Sequence, residues 1–107
     1  MWLPPTAGLG VSQTWINVTA SRTQGAVYTN NTGKPISVAI TGARGLYSSG
    51  FIAYVNGVEL FRSSHNDTVH GGSAGGSFIV PSGSTYSVVA IGPYGGGTLI
   101  SQWMELR

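Results

Sequence analysis

The segment HNDTVH carries the side chains best suited to bind a metal ion, His65, Asp67 and His70. Imidazole nitrogens and carboxylate oxygens are common ligands of divalent transition metals. Their spacing does not match one that a helix or strand turns into a fixed ligand geometry, and the flanking glycines indicate a mobile loop. We therefore predict no metal site and keep His65 and His70 as weak candidates, which a threefold axis would strengthen by bringing copies of one histidine together.

The acidic side chains are too few for hydrolytic chemistry. Glycoside hydrolysis needs two carboxylates across the scissile bond, and the chain offers Glu59, Asp67 and Glu105. Two of these, Glu59 and Glu105, fall in predicted strands. No Gly-x-Ser-x-Gly elbow singles out a nucleophilic serine. We expect no enzymatic activity, no catalytic residue and no cofactor.

The pair Gly33-Lys34 superficially matches the end of a phosphate-binding loop. Such a loop leads from a strand into a helix, whose N-terminal amides hold the phosphate. Here Pro35 and a strand-like run follow the lysine, so the sequence predicts a tight turn between two strands and no nucleotide site.

Three glycosylation sequons begin at Asn17, Asn30 and Asn66. Glycosylation requires secretion. The N-terminal segment MWLPPTAGLG has neither the basic region nor the apolar region of a signal peptide, so we interpret the sequons as incidental.

Residues suited to binding fall in or beside three long predicted loops, 43–50, 63–76 and 92–97. Tyrosine and arginine are favoured at interfaces, and tyrosine rings also suit sugars. Trp15 and Trp103 fall in predicted strands, which indicates packing in the core or at an interface. The candidate binding residues are Arg44, Tyr47, Arg62, His65, Asn66, Asp67, His70 and Tyr94.

The elements that must position these residues are strands. Apolar residues alternate or run in short blocks, no window has helical spacing, and 17 glycines punctuate the 107 residues. We predict an all-β, antiparallel, jelly-roll-like β-sandwich over residues 11–107, with no helix, preceded by a linker over residues 1–10. The eight predicted strands span residues 14–20, 25–30, 35–41, 50–55, 58–62, 77–80, 85–91 and 98–106.

The pair Asn56-Gly57 predicts a hairpin with a type I′ turn. A two-residue turn places Val55 opposite Val58, Ala53 opposite Leu60, and Phe51 opposite Arg62. One hairpin face should then be core: Phe51, Ala53, Val55, Val58 and Leu60. The other face is a half-covered exterior or a subunit interface: Ile52, Tyr54, Glu59 and Phe61.

Connection lengths predict two different ends. If consecutive strands alternate in direction, the short turns NTGK, NG and PSGS lie at one end together with both chain ends. The longer connections then lie at the opposite end, where binding residues are more often found.

The chain carries five basic and three acidic residues, and the basic ones are scattered. This distribution gives no nucleic-acid footprint, and no apolar run is long enough to span a membrane. A surface so poor in charge indicates one partly covered by copies of the chain or by a larger assembly.

The stretches QTWINVTASR (Gln13–Arg22), YTNNTGKPI (Tyr28–Ile36) and VPSGSTYSV (Val80–Val88) resemble the C-terminal module of tailed-bacteriophage tail fibres and receptor-binding tail proteins. The similarity runs from about Gly8 to Arg107. It implies a β-sandwich fibre tip, a homotrimer, that binds host surface glycan or an outer-membrane protein without catalysis.

The same resemblance implies a virion protein assembled in the bacterial host cytoplasm, a reducing compartment with which the absence of cysteine is compatible. The N-terminal segment would contact other virion proteins, with no nucleic acid bound and no membrane insertion. The alternative is a capsid decoration or head-fibre protein with a purely structural role.

Overall fold

The computed structural model describes residues 8–42, 45–72, 74–91 and 100–107, and of residues 45–49 and 65–72 it describes the backbone alone. Within these ranges the chain forms eight strands and a 3₁₀ turn over Thr19–Ser21, and contains no α-helix. The strands are β1 (Trp15–Asn17), β2 (Tyr28–Thr29), β3 (Ile36–Gly42), β4 (Gly45–Val55), β5 (Val58–Gly72), β6 (Gly75–Val80), β7 (Thr85–Ile91) and β8 (Ile100–Leu106).

The strands form two antiparallel sheets, one in the order β1-β8-β3-β6 and the other in the order β2-β7-β4-β5. Along the chain every connection between described strands except β4–β5 changes sheet, which is the strand order of a jelly roll. The predicted all-β antiparallel sandwich of about eight strands is confirmed.

The core lies between the sheets and follows from period-two alternation. In β3, Ile36, Val38 and Ile40 are buried, whereas the intervening side chains point outward. The largest fully buried side chains, Trp103, Tyr86 and Phe51, come from β8, β7 and β4. Each sheet therefore contributes one apolar face, and Trp103 packs in the core as predicted.

The β4–β5 hairpin turns at Asn56-Gly57, whose φ angles of 52° and 77° fit the predicted type I′ turn. Val55 pairs with Val58 as predicted, but Ala53 pairs with Phe61. Leu60 is an extra residue without a partner on β4, which is a β-bulge. Side chains of β5 after Leu60 therefore point to the face of the sheet opposite to the predicted one. The predicted pairings of Ala53 with Leu60 and of Phe51 with Arg62 are therefore wrong.

The bulge exchanges which β5 side chains reach the core. Leu60, predicted to be buried, is 48% exposed. Val58, also predicted to be buried, precedes the bulge and keeps its predicted pairing with Val55, yet it is 62% exposed beside the turn. Phe61, predicted to face outward, packs against the core with its ring centroid 5.9 Å from that of Phe51. On the opposite face Ile52 is buried and Tyr54 is half-buried, so that face is at least partly covered within this chain.

Two predicted loops are largely strand. Residues 45–50 of the predicted loop 43–50 belong to β4, and residues 63–72 of the predicted loop 63–76 belong to β5, with 75–76 in β6. The loop prediction rested on polar and glycine-rich sequence, which is compatible with a ladder because strand pairing uses backbone groups. Residues 43–44 and 73, the loop 92–97, and residues 1–7 of the predicted linker lie outside the described residues.

The short turns gather at one end through hydrogen bonds. Asn30 N donates to Ser84 O at 2.9 Å, and Gly83 N donates to Asn30 O at 2.9 Å. Asn56 Nδ2 donates to Ser84 Oγ at 3.1 Å. At the same end Thr14 and Arg107 exchange backbone hydrogen bonds of 3.1 and 3.3 Å, since β1 pairs with β8. We call this the turn end.

The opposite end carries a two-stranded ribbon. β4 pairs with β7 only over Gly50–Val55, yet its pairing with β5 continues to Gly45 and Gly72. Among the described strands, residues 45–49 therefore pair with β5 alone over a length of about 16 Å. We call residues 45–49 and 65–72 the ribbon.

Candidate functional site

The ribbon brings together most of the residues predicted to bind a receptor. The ladder places Tyr47 opposite Asp67, Ser48 opposite Asn66, and Ser49 opposite His65. His70 lies further along β5. These residues belong to strands and not to loops, so their backbones are positioned by inter-strand hydrogen bonds. Arg44 and Tyr94 lie outside the described residues.

Arg62 lies closer to the turn end than these residues, where it pairs in register with Ile52. Its Nε and Nη2 donate to the two carboxylate oxygens of Glu59, both at 3.1 Å. The hydrogen bonds and negative charge of Glu59 raise the pKa of Arg62. The guanidinium is thus engaged by its own hairpin, although its side chain is 59% exposed.

The side chains that the structure describes contain no group of three histidine, cysteine or acidic residues placed to hold a metal ion. His65, Asp67 and His70 are not among those side chains. The expectation of no metal site in HNDTVH therefore stays a prediction.

The most fully built polar cluster surrounds Glu105, a completely buried carboxylate on β8. Its Oε1 accepts from Arg22 Nη2 at 3.0 Å and from Arg107 Nη1 at 2.8 Å. Its Oε2 accepts from Arg22 Nε at 3.1 Å, Tyr86 OH at 2.8 Å and Trp103 Nε1 at 3.0 Å. We call this cluster the carboxylate clamp.

The clamp fixes the protonation state of its members. Burial alone would raise the pKa of Glu105, but the hydrogen bonds from Arg22, Tyr86 and Trp103 outweigh it and hold that pKa below its ordinary value. Burial, together with the hydrogen bond to Glu105, raises the pKa of Tyr86 to about 12. Glu105 is therefore ionised and Tyr86 neutral at physiological pH, and neither is poised to transfer a proton near neutrality.

The clamp connects both sheets with the segment after β1. Glu105 and Trp103 lie on one sheet, Tyr86 on the other, and Arg22 follows the 3₁₀ turn. Arg22 also lies over the ring of Tyr28, 4.7 Å from its centroid. Since every oxygen position of the carboxylate is occupied by donors from this chain, the clamp is structural.

The sequence alone does not reveal the clamp, because it presents Glu105 only as a candidate acid in a strand. One signal was present: Trp103 and Glu105 are two residues apart and so share one face of a strand. An acidic residue in phase with a buried tryptophan requires basic or hydroxyl partners.

Among the side chains that the structure describes, Asn30, the first residue of the second sequon, is the other buried polar one, with 1% exposure. Its Nδ2 donates to Lys34 O at 2.7 Å and to Val80 O at 3.0 Å, while its Oδ1 accepts from Thr32 N at 3.1 Å. The side chain holds the β2–β3 turn in place. In the folded protein it is not accessible for glycosylation.

Comparison with known proteins adds no family. No protein-family model matches the chain, and no curated protein is significantly similar to it. The part of the chain that the structure describes contains no helix long and apolar enough to cross a membrane.

Proposed function

We propose that this chain is a non-enzymatic attachment module of a bacteriophage virion, the tip of a tail fibre. It binds a glycan or an outer-membrane protein on the host surface through the ribbon. The sequence resemblance to tail-fibre modules supplies the biological setting, and the fold supplies the reason to locate binding at one end.

The observation that carries the proposal is the separation of the two ends. The turn end holds the adjoining backbones of Thr14 and Arg107, so an attachment preceding the domain enters there. The ribbon lies at the other end and places Tyr47 opposite Asp67 and Ser49 opposite His65. A module attached to the fibre at its turn end therefore presents the ribbon to the host surface.

The acidic side chains that the structure describes support binding over catalysis. Glu105 is fully engaged inside the clamp, and Glu59 is paired with Arg62. Hydrolysis needs a second carboxylate across the bond from the first, and only Asp67 remains as a candidate.

The resembling stretches occupy the scaffold. Gln13–Arg22 supplies β1, the 3₁₀ turn and the clamp arginine, and Tyr28–Ile36 supplies the turn that Asn30 organises. Val80–Val88 supplies the turn into β7 and the clamp tyrosine. The resemblance thus concerns the framework, and the ribbon is where receptor specificity would differ.

Adsorption of the purified, fluorescently labelled chain to a panel of Gram-negative strains tests the proposal. We expect saturable binding to a subset of strains, loss of binding in the double variant Tyr47→Ala/Asp67→Ala, and no change in Ser82→Ala. Ser82 is exposed in the β6–β7 turn and so serves as the control at the turn end. Thermal unfolding of each variant shows whether it is folded.

Competition completes the test. Unlabelled chain should protect the binding strains from infection by phage that use the same receptor. Absence of adsorption to every strain, combined with tight binding to empty phage capsids, would contradict a fibre tip and support a capsid decoration protein.

A further inference from the structure

The outer face of the β1-β8-β3-β6 sheet carries an exposed apolar row. The register aligns Trp15 with Leu106, Leu106 with Ser37, and Ser37 with Ile79, so these four side chains cross all four strands. Trp15 is 50% and Ile79 is 53% exposed, and Leu106 between them is half-buried. We call this surface the neutral face.

The neutral face carries no charge at any of its outward strand positions. The row beside the apolar one contains Asn17, Met104, Ala39 and Ser77, and the next contains Gln102, Thr41 and Gly75. The charged side chains that the structure describes lie elsewhere. Arg22, Glu105 and Arg107 form the clamp, Glu59 and Arg62 lie on the other sheet, and Lys34 Nζ donates to Val11 O at 2.9 Å.

An identical neutral face is a suitable partner for this surface. Packing two charge-free faces together buries no ionised group, so no desolvation penalty of that kind opposes association. The outward tryptophan, isoleucine, leucine and methionine lose contact with water, which is favourable in proportion to their apolar area. Two sheets can pack face to face at the spacing found inside β-sandwiches.

The size of the face sets the strength of this association. The strands β1, β8, β3 and β6 are 3, 7, 7 and 6 residues long. At a spacing of about 5 Å between strands, the face covers roughly 400 Å². A stable interface between independent chains buries about 800 Å² on each partner. Copies that meet only through this face therefore associate weakly, and they associate firmly when a shared attachment raises their effective concentration.

We propose that the neutral face is the surface through which copies of this chain pack against one another, with Trp15 and Ile79 as its main contacts. The firm association rests on the fibre proposed above, since the fibre holds the copies together. The weak association of the isolated chain does not depend on it.

Sedimentation equilibrium of the 107-residue chain, from about 10 μM to 1 mM, tests this proposal. We expect a mass that rises with concentration, and self-association at least about tenfold weaker in Ile79→Ser and in Trp15→Ser. Val58→Ser is the matched control because Val58 is 62% exposed on the other sheet. High salt should not weaken the association, since the face contains no ion pair.

A mass that stays monomeric up to 1 mM, or an equal effect of Val58→Ser, would overturn the proposal. Binding of a neutral polysaccharide by the monomer, lost in Trp15→Ser, would also overturn it and assign the face to a glycan. A dimer sensitive to Ile79→Ser would support the face while contradicting the trimer expected of a fibre tip.

Discussion

Replacing Glu105 by glutamine tests the carboxylate clamp most directly. The substitution keeps the shape of the side chain but turns one acceptor oxygen into an NH₂ group. In one amide orientation this group faces Arg22 Nη2 and Arg107 Nη1, and in the other it faces Arg22 Nε and Trp103 Nε1. At least two donors therefore lose their acceptor whichever orientation the amide adopts.

The magnitude follows from those two lost bonds. A hydrogen bond to a charged group contributes about 1.5–3 kcal/mol, so two amount to about 3–6 kcal/mol. Breaking a buried ion pair by removing one partner costs about 3–5 kcal/mol by independent reasoning. Because Glu105 is completely buried, water does not compensate. We expect E105Q to lose about 3–5 kcal/mol, out of the roughly 5–15 kcal/mol typical of a whole domain.

Equilibrium unfolding in urea, followed by tryptophan fluorescence, measures this loss because Trp103 belongs to the clamp. The melting temperature should fall by roughly 12–20 °C. The control is E59Q, which neutralises the exposed Glu59–Arg62 pair and should leave the unfolding midpoint close to that of the wild type. A loss below about 1 kcal/mol in E105Q, or an equal loss in E59Q, would refute the reasoning.

The dependence of the unfolding free energy on acidic pH provides a second comparison of the wild type with E105Q. The folded-state pKa of Glu105 is lowered, so its contribution to stability is present above about pH 4.3 and is lost as the pH falls further towards the folded pKa. E105Q lacks that component. The difference in unfolding free energy between the wild type and E105Q should therefore shrink below about pH 4.3.

Three further substitutions probe other parts of the fold. Folding raises the pKa of Tyr86 from 10.0 to about 12, so the unfolding free energy of the wild type should fall by roughly 2–3 kcal/mol between pH 10 and 12. Urea titrations at a series of pH values should show that this fall is absent in Tyr86→Phe. In Asn30→Asp a carboxylate oxygen faces the backbone carbonyl oxygens that accept hydrogen bonds from the Asn30 amide in the wild type. Chemical denaturation should show that this variant loses about 3 kcal/mol or more of unfolding free energy. The exposed control Asn31→Asp should leave the unfolding free energy almost unchanged. Gly50→Ala would place a Cβ against the backbone of Ser63 in the neighbouring strand. The variant should lose about 1–3 kcal/mol of unfolding free energy and melt at a lower temperature. An unchanged melting temperature would show that β5 can move away.

The architecture was predictable because it depends on alternation that the sequence displays openly. Apolar residues alternate with smaller or polar ones at Ile36, Val38 and Ile40, and the pair Asn56-Gly57 predicts a turn. The register beyond that turn was not predictable, because Leu60 is as apolar as its neighbours. The bulged alignment buries Phe61 against Phe51 of the same hairpin and against Phe78 of the other sheet, and the second contact becomes visible only when both sheets are present.

The length of β4 and β5 was underestimated for a different reason. The polar and glycine-rich residues of the ribbon have low strand propensity, but pairing in a ladder depends on backbone partners more than on side chains. The candidate residues Tyr47 and Asp67 fall in predicted loops, whereas the structure places them opposite one another in a β-ladder. The clamp was missed because its donors come from residues up to 83 positions away along the chain.

The antiparallel pairing of β1 with β8 determines how the domain responds to mechanical force. A pull between Thr14 and Arg107 acts at one end of that pair, so it opens the hydrogen bonds one after another and needs little force. A pull between Thr14 and the ribbon runs along the length of the strands, so it loads many hydrogen bonds at once and meets far greater resistance. In the proposed fibre tip, host attachment applies the second kind of load, and the domain resists tension best along the line joining its attachment to its receptor.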